Sequence, residues 1–396
     1  MPPSGSGGGS SGAGAGRPDA PDHLSEGRAA GSRQTPGPAI EEFGGWPGVL
    51  GGLAAGTDLG AAEAGAAMAE VLEGNATPAQ IAAFVFGLRC KGETVEEMAG
   101  LVGAMISASE RVPVGPDLAG RLVDTCGTGG DRSGTINVST IAALVVAGAG
   151  VPVCKHGGRA ASSKAGSADV LEALGVVIDL GPAGVVRCIE EAGIGFCFAP
   201  RYHPAMRHAI PIRRELGVPT AFNFLGPLAN PARVRRQVVG VGDPAMAPRM
   251  VRVLAAGGAD HVLVVHGADG LDEISTTGPS TVHEFRREAG APDGGRFEVS
   301  QVDPGRFGIP VAQMADLRGG DAGTNAGLAR RVLSGAPGPQ RDIVVLNAAA
   351  GLVVADRCAD LAEGVGLASA VLDDGRAAAC LDRLIEVSRA EAGRTS

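Results

Sequence analysis

From Leu122 onward the chain alternates short β-branched runs with helical patterns, and this alternation restricts its fold more than any other feature. The runs are Leu122–Thr125, Val151–Cys154, Gly195–Phe198, Val238–Val241 and Val262–Val265. Helical patterns lie among them at 140–149, 167–174, 184–193 and 247–257. Such alternation predicts an α/β domain with a mainly parallel central sheet and right-handed crossovers. Ligands of such sheets bind beyond the carboxyl ends of the strands. Three polar segments fall at those ends: Gly127-Thr-Gly-Gly-Asp131, Lys155-His-Gly-Gly158 and His266-Gly-Ala-Asp269.

The preceding chain reads differently. Residues 1–44 are rich in Gly, Ser, Ala and Pro, too poor in apolar surface to offset ordering entropy, and are expected to form a disordered extension. Residues 45–113 read as a small helical domain, expected to be joined by helices from about 203–230. Thr77-Pro78 is a helix start, and Thr94-Val-Glu-Glu97 is a capping box. Pro113 to Pro116 reads as a hinge, and 114–396 as the α/β domain. The portion from about 322 to the end reads as helical, without a chemical signature.

Composition removes several functions. A net charge of -9 argues against broad binding to a phosphate backbone, and 3% aromatics leave few platforms for stacking bases. Seven cysteines without a C-x-x-C pair point to a reducing compartment and away from zinc. The apolar window from Ile136 to Cys154 contains Asn137, Ser139 and Thr140, so it reads as a buried helix and strand rather than a membrane span. The expected location is cytoplasmic.

Four clusters carry chemistry. Gly127–Asp131 with Asn137-Val-Ser-Thr140 places backbone N–H groups and a helix start together, which suits phosphate; Ser139 or Thr140 is the candidate N-cap. It fits neither the common dinucleotide nor the P-loop pattern. The segment from Lys155 through Lys164 to Ser167 holds two lysines, one arginine, three serines and three glycines, an anion-binding composition. Asp269-Gly-Leu-Asp-Glu273 offers carboxylates that suit magnesium. Arg201–His208, Arg213-Arg214 and Asn223–Pro231 form the fourth, with Arg213 a candidate for a substrate carboxylate. His203 and His208 are acid–base or packing candidates, and no acid–base residue is assigned.

Taken in order, these motifs resemble anthranilate phosphoribosyltransferases from about residue 46 to the end; Leu88-Arg-Cys-Lys-Gly-Glu-Thr94 shares the resemblance. The resemblance implies a helical domain hinged to an α/β domain, usually as a homodimer. It implies that phosphoribosyl pyrophosphate (PRPP) and anthranilate become phosphoribosyl anthranilate and pyrophosphate, in tryptophan biosynthesis. By the family pattern, PRPP contacts Gly127, Gly130, Asp131, Thr135, Asn137, Val138, Ser139, Thr140 and Ser167. It also contacts the loop Lys155, His156, Gly157, Gly158, Arg159, Ala160, Ala161, Ser162 and Ser163. Magnesium is implied at Ser139, Asp272 and Glu273, and anthranilate at Gly127 and Arg213. One position departs: Gly158 stands where the family usually has asparagine. A pyrimidine-type nucleoside phosphorylase shares the architecture, but Asp272-Glu273 and Asn223–Pro231 favour the transferase. A non-catalytic nucleic-acid-binding relative is disfavoured by charge and aromatic content.

Overall fold

The structure, a computed structural model, describes residues 37–131, 133–160, 164–291 and 293–395. Residues 1–36 of the expected extension lie outside the described residues. Its boundary needs correction: Ile40–Phe43 form a 3₁₀ turn and Ile40 is buried. One large apolar side chain suffices to anchor this turn to the helices that follow.

Seven strands form one sheet: β1 (Val123–Gly127), β2 (Val153–Gly157), β3 (Ile194–Phe198), β4 (Arg236–Gly240), β5 (His261–Gly267), β6 (Ser280–Arg287) and β7 (Gly295–Val302). Their order is β3-β2-β1-β4-β5-β6-β7. The first five are parallel, as the alternation predicts, whereas β6 and β7 add antiparallel at one edge. The sequence reading missed these last two strands. Their burial alternates weakly, and most of β7 faces solvent, so no apolar run marks it.

Side-chain alternation along the central strands feeds two cores. Val238, Leu263 and Val265 pack with the helices Val138–Gly148, Pro339–Val354 and Arg376–Thr395. Val239, Val262 and Val264 face the opposite way, onto the helix Ala247–Ala256 and the N-terminal helices. Segment 206–229 contributes Met206, Phe222, Phe224 and Leu225 to this second core. Sheet residues covered on both faces explain the continuous apolar runs of the sequence.

Both predicted helix starts are capping boxes. Thr77 Oγ1 accepts from Gln80 N–H at 3.3 Å while Thr77 N–H donates to Gln80 Oε1 at 2.8 Å. Thr94 and Glu97 repeat the exchange at 3.1 and 2.8 Å. The helix at Val138–Gly148 differs from expectation: Asn137 is its N-cap, without a side-chain cap bond, and Ser139 and Thr140 lie inside the first turn. Their hydroxyls are engaged elsewhere or free for other work, because the first-turn N–H groups find a partner across the sheet edge.

Candidate active site

The chain proceeds from β1 to β2 and β3 on one side, then crosses back to β4 and β5 on the other. The crevice between β1 and β4 is therefore the switch point at which an open α/β sheet binds its ligand. Gly127 ends β1 and Gly240 ends β4, side by side in register. Asp272 lies directly over both. A Cβ on Gly127 would run into the Asp272 carboxylate, and one on Gly240 into the Asp272 carbonyl. These two glycines are required by close approach, not by turn geometry.

The acid pair clamps onto the predicted phosphate cradle. Gly129 N–H donates to Asp272 Oδ2 at 2.7 Å, and Ser139 N–H donates to Glu273 Oε1 at 3.1 Å. The glycine loop and the helix start thus form one site with an acidic turn more than a hundred residues further along the chain. Gly129 and Gly130 both take left-handed backbone, with φ of 62° and 83°. Burial pushes the Asp272 carboxyl up to about 6, and the nearby Asp131 charge adds to the rise. Burial, followed by Asp272, pushes the Glu273 carboxyl well above the usual range, against the attraction of Lys155. Holding two such acids together is costly without a cation.

Lys155, the middle residue of β2, is 2% exposed. Its Nζ donates to the Thr125 carbonyl and lies 3.5 Å from Ser139 Oγ. The cation therefore points at the helix start and not at solvent. Thr140 Oγ1 donates to Ser167 Oγ at 2.9 Å, joining the first cluster to the end of the second. Asp131 accepts from Ser133 Oγ at 2.6 Å, and Ser133 Oγ lies 3.1 Å from Thr135 Oγ1.

The basic loop is shaped by a residue the sequence reading left unassigned. Asp169 accepts from Ala160 N–H at 3.0 Å, Gly166 N–H at 2.9 Å and Arg159 Nη1 at 2.8 Å. Arg159 also reaches Glu172 at 2.8 Å and lies over the Phe198 ring. Its spacing, three residues beyond the helix N-cap Gly166, was the available signal. Ala161, Ser162 and Ser163 lie outside the described residues. Among the described residues, a Cβ at Gly158 would meet only Ala199 Cβ, 3.9 Å away, so these leave room for a side chain.

Other predicted residues stand apart. The His156 side chain turns beneath the loop: Nδ1 lies 3.0 Å from the Gly226 carbonyl and its ring 5.1 Å from that of His203. Burial lowers His156 to about 3 and His203 to about 4, so both stay neutral near pH 7. Neither serves as a base from that position. Asp124, buried and unassigned by the sequence reading, receives His156 N–H at 3.2 Å and Asn230 Nδ2 at 2.8 Å, fixing the start of the loop. Arg213 lies on the helix Ile210–Leu216, half-buried, and forms no ion pair among the described residues. Burial alone lowers its pKa. Cys126 packs against the Pro227 carbonyl, and burial pushes its thiol well up, which rules it out as a ready nucleophile.

The donor set fits magnesium. Asp272 and Glu273 are hard oxygen ligands with Ser139 within the same cluster, and the raised carboxyls lack a neutralising ion pair among the described residues.

The chain is similar to known proteins over most of its length. Residues 48–109 match the glycosyl transferase family, helical bundle domain, and residues 119–378 match the glycosyl transferase family, a/b domain. The anthranilate phosphoribosyltransferase of Salinispora arenicola is 52% identical over 350 residues, spanning 87% of this chain and 97% of that protein. The crystal structure of the Thermus thermophilus anthranilate phosphoribosyltransferase superposes with a TM-score of 0.79 at 41% identity, covering 86% of this chain and 99% of that one. The Saccharomyces cerevisiae enzyme in complex with PRPP and Mg gives 0.77 at 26% identity, covering 87% and 98%.

Proposed function

Starting from the fact that the chain belongs to the anthranilate phosphoribosyltransferase family, we propose how its residues divide the work of the transfer. The reaction moves the phosphoribosyl group of PRPP to the amino group of anthranilate and releases pyrophosphate. The observation that carries our assignment is the pair of hydrogen bonds from Gly129 and Ser139 to Asp272 and Glu273, which brings the acidic turn onto the glycine loop and helix start from a distant part of the chain.

The acceptor is an aromatic amine, already neutral near pH 7, so no strong base is required; this agrees with the neutral, buried His156 and His203. The demanding step is charge separation at the ribose carbon as pyrophosphate departs. Asp272, Glu273 and Ser139 would hold magnesium, which would supply positive charge to the departing pyrophosphate. Gly127, Gly130, Asp131, Thr135 and Asn137 to Thr140 line the PRPP site with their backbone and hydroxyl groups. Lys155 with the loop His156 to Ser163 and Ser167 completes it. Lys155 contributes a fixed cation because the Thr125 carbonyl holds its ammonium in place. Arg213, lacking a carboxylate partner among the described residues, binds the anthranilate carboxylate, and Gly127 lies against the ring.

Segment 45–113, with helices from about 203–230, forms the helical domain that closes on the α/β portion 114–396. The enzyme is a homodimer in the cytoplasm; no helix of the described residues is long and apolar enough to cross a membrane.

The test is the loss of anthranilate fluorescence on mixing purified protein, PRPP and magnesium. We expect loss only with both additions, and Gly158→Asn, for which the backbone has room, is expected to lower the anthranilate KM. Phosphate-dependent release of base from a nucleoside, with anthranilate untouched, would overturn the assignment.

A further inference from the structure

Two buried asparagines outside all four sequence motifs reach into this site. Asn325, 3% exposed, lies on the helix Ala322–Leu333; Asn347, 2% exposed, lies on the helix Pro339–Val354. Both belong to the C-terminal part, in which the sequence shows no chemistry.

Asn325 Oδ1 accepts from Gly320 N–H at 2.6 Å, and its Nδ2 donates to Asn137 Oδ1 at 2.8 Å. Asn137 Nδ2 in turn donates to the Ala165 carbonyl at 3.0 Å. Both amides are thus oriented by their neighbours, donor to acceptor throughout. The chain of bonds ties the helix Ala322–Leu333 to the N-cap of the helix Val138–Gly148 and then to the end of the basic loop. Segment 317–319 reinforces the link: Ile136 N–H donates to the Leu317 carbonyl at 3.0 Å, and Gly319 N–H to the Gly134 carbonyl at 2.9 Å.

Asn347 grips the other half. Its Oδ1 accepts from Ile274 N–H at 2.9 Å, and its Nδ2 donates to the Ile274 and Ile343 carbonyls, each at 2.9 Å. Ile274 directly follows Glu273, so both backbone polar groups of the next residue are fixed by one side chain. Only an amide offers donor and acceptor together at this size; a carboxylate lacks the donor and leucine lacks both. Buried polar groups left unmatched would shift the backbone that carries them.

We infer that Asn325 and Asn347 are positioning residues for the transfer: Asn325 sets the PRPP cradle through Asn137, and Asn347 sets the acid pair through Ile274. This rests on the site assignment above. The two act separately, one on PRPP binding and one on the magnesium requirement, which a purely structural role would not produce.

The experiment uses full-length Asn325→Leu, Asn347→Leu, Asn325→Asp and Asn347→Asp, with Val387→Ala, a buried change in the helix Arg376–Thr395, as a stability control. Both KM values, kcat, the calorimetric Kd for PRPP with magnesium and the magnesium concentration for half-maximal PRPP binding are measured well below the melting temperature. Asn325→Leu is expected to raise the PRPP KM and Kd about tenfold with the anthranilate KM unchanged, and Asn347→Leu the magnesium requirement about tenfold. The Asp variants, which keep the acceptor, fall in between, and carry the test if a Leu variant does not fold. Asparagine variants that melt earlier, as Val387→Ala does, yet keep every constant within about twofold would overturn the inference. Ser139→Ala and Asp272→Asn are run alongside. If these shift PRPP and magnesium binding while the asparagine variants do not, the positioning roles alone fail. If none shifts, the site assignment falls with them.

Discussion

Strand β5 has a carboxylate cluster at each end, and the two are built on opposite principles. At the amino end, Asp356 receives Arg236 and Arg286, each at 2.6 Å, Asp260 receives Arg235 at 2.6 Å, and Glu284 lies 2.7 Å from His261 Nε2. Hydrogen bonding to His261 holds the Glu284 carboxyl below the usual range. At the carboxyl end, Asp272 and Glu273 meet backbone N–H groups and, in Glu273's case, the attraction of Lys155, without an ion pair among the described residues; burial holds both above the usual range, with the Asp131 charge adding to the rise at Asp272 and the Asp272 charge to that at Glu273. Residue type does not distinguish the clusters. The first has its charge matched by the protein, and the second keeps a surplus, which is what our proposed cation site requires.

The strongest test of this contrast removes the surplus. Asp272→Asn with Glu273→Gln is expected to lower kcat at limiting magnesium by at least about 100-fold, while the melting temperature stays level or rises because the repulsion is gone. Unchanged turnover would remove the distinction between the two ends. At the other end, Asp356→Asn should cost only about 1 kcal/mol, seen as a lower denaturant midpoint, and leave kcat and both KM values alone. Asparagine is the proper replacement because Asp356 has a left-handed backbone, φ 54°.

A smaller effect separates the ends by pH, read as melting temperature in chelator. Asp272 has a raised folded pKa, so its contribution is present below the unfolded value of about 3.9 and is lost as pH rises through about 6. Glu284 has a depressed one; its contribution is present above about 4.3 and lost as pH falls through the lower folded value. Asp272→Asn should therefore gain on the wild type as pH rises across the first window. Glu284→Gln should lose against it at neutral pH and converge on it in acid. Parallel pH curves for both variants would contradict the contrast.

Much of this was legible before the fold. Helix starts at Thr77 and Thr94 follow from local capping chemistry, and the parallel core from alternation of apolar runs. The glycine loop, Lys155 and the acid pair stand out because phosphate and magnesium demand unusual local composition. Strand β7 was not legible, since an exposed edge strand needs no apolar run. Ser139 and Thr140 looked like caps because hydroxyls prefer helix starts, yet Asn137 holds that position and a distant glutamate takes a first-turn N–H. Asp169, Asp124, Asn325 and Asn347 were missed for one reason: single polar residues in helices or strands look ordinary until their partners are known.

The sequence by itself determined the class of fold and the family, because those depend on periodicity and on motifs a few residues long. Only the tertiary structure decided which groups act together. Strand order placed Gly127 beside Gly240, and the return of the chain after β5 laid Asp272 over both. That approach turns ordinary acids into a half-buried pair without an ion-pair partner among the described residues, and its energetics arise from distances and desolvation that no local stretch of sequence encodes.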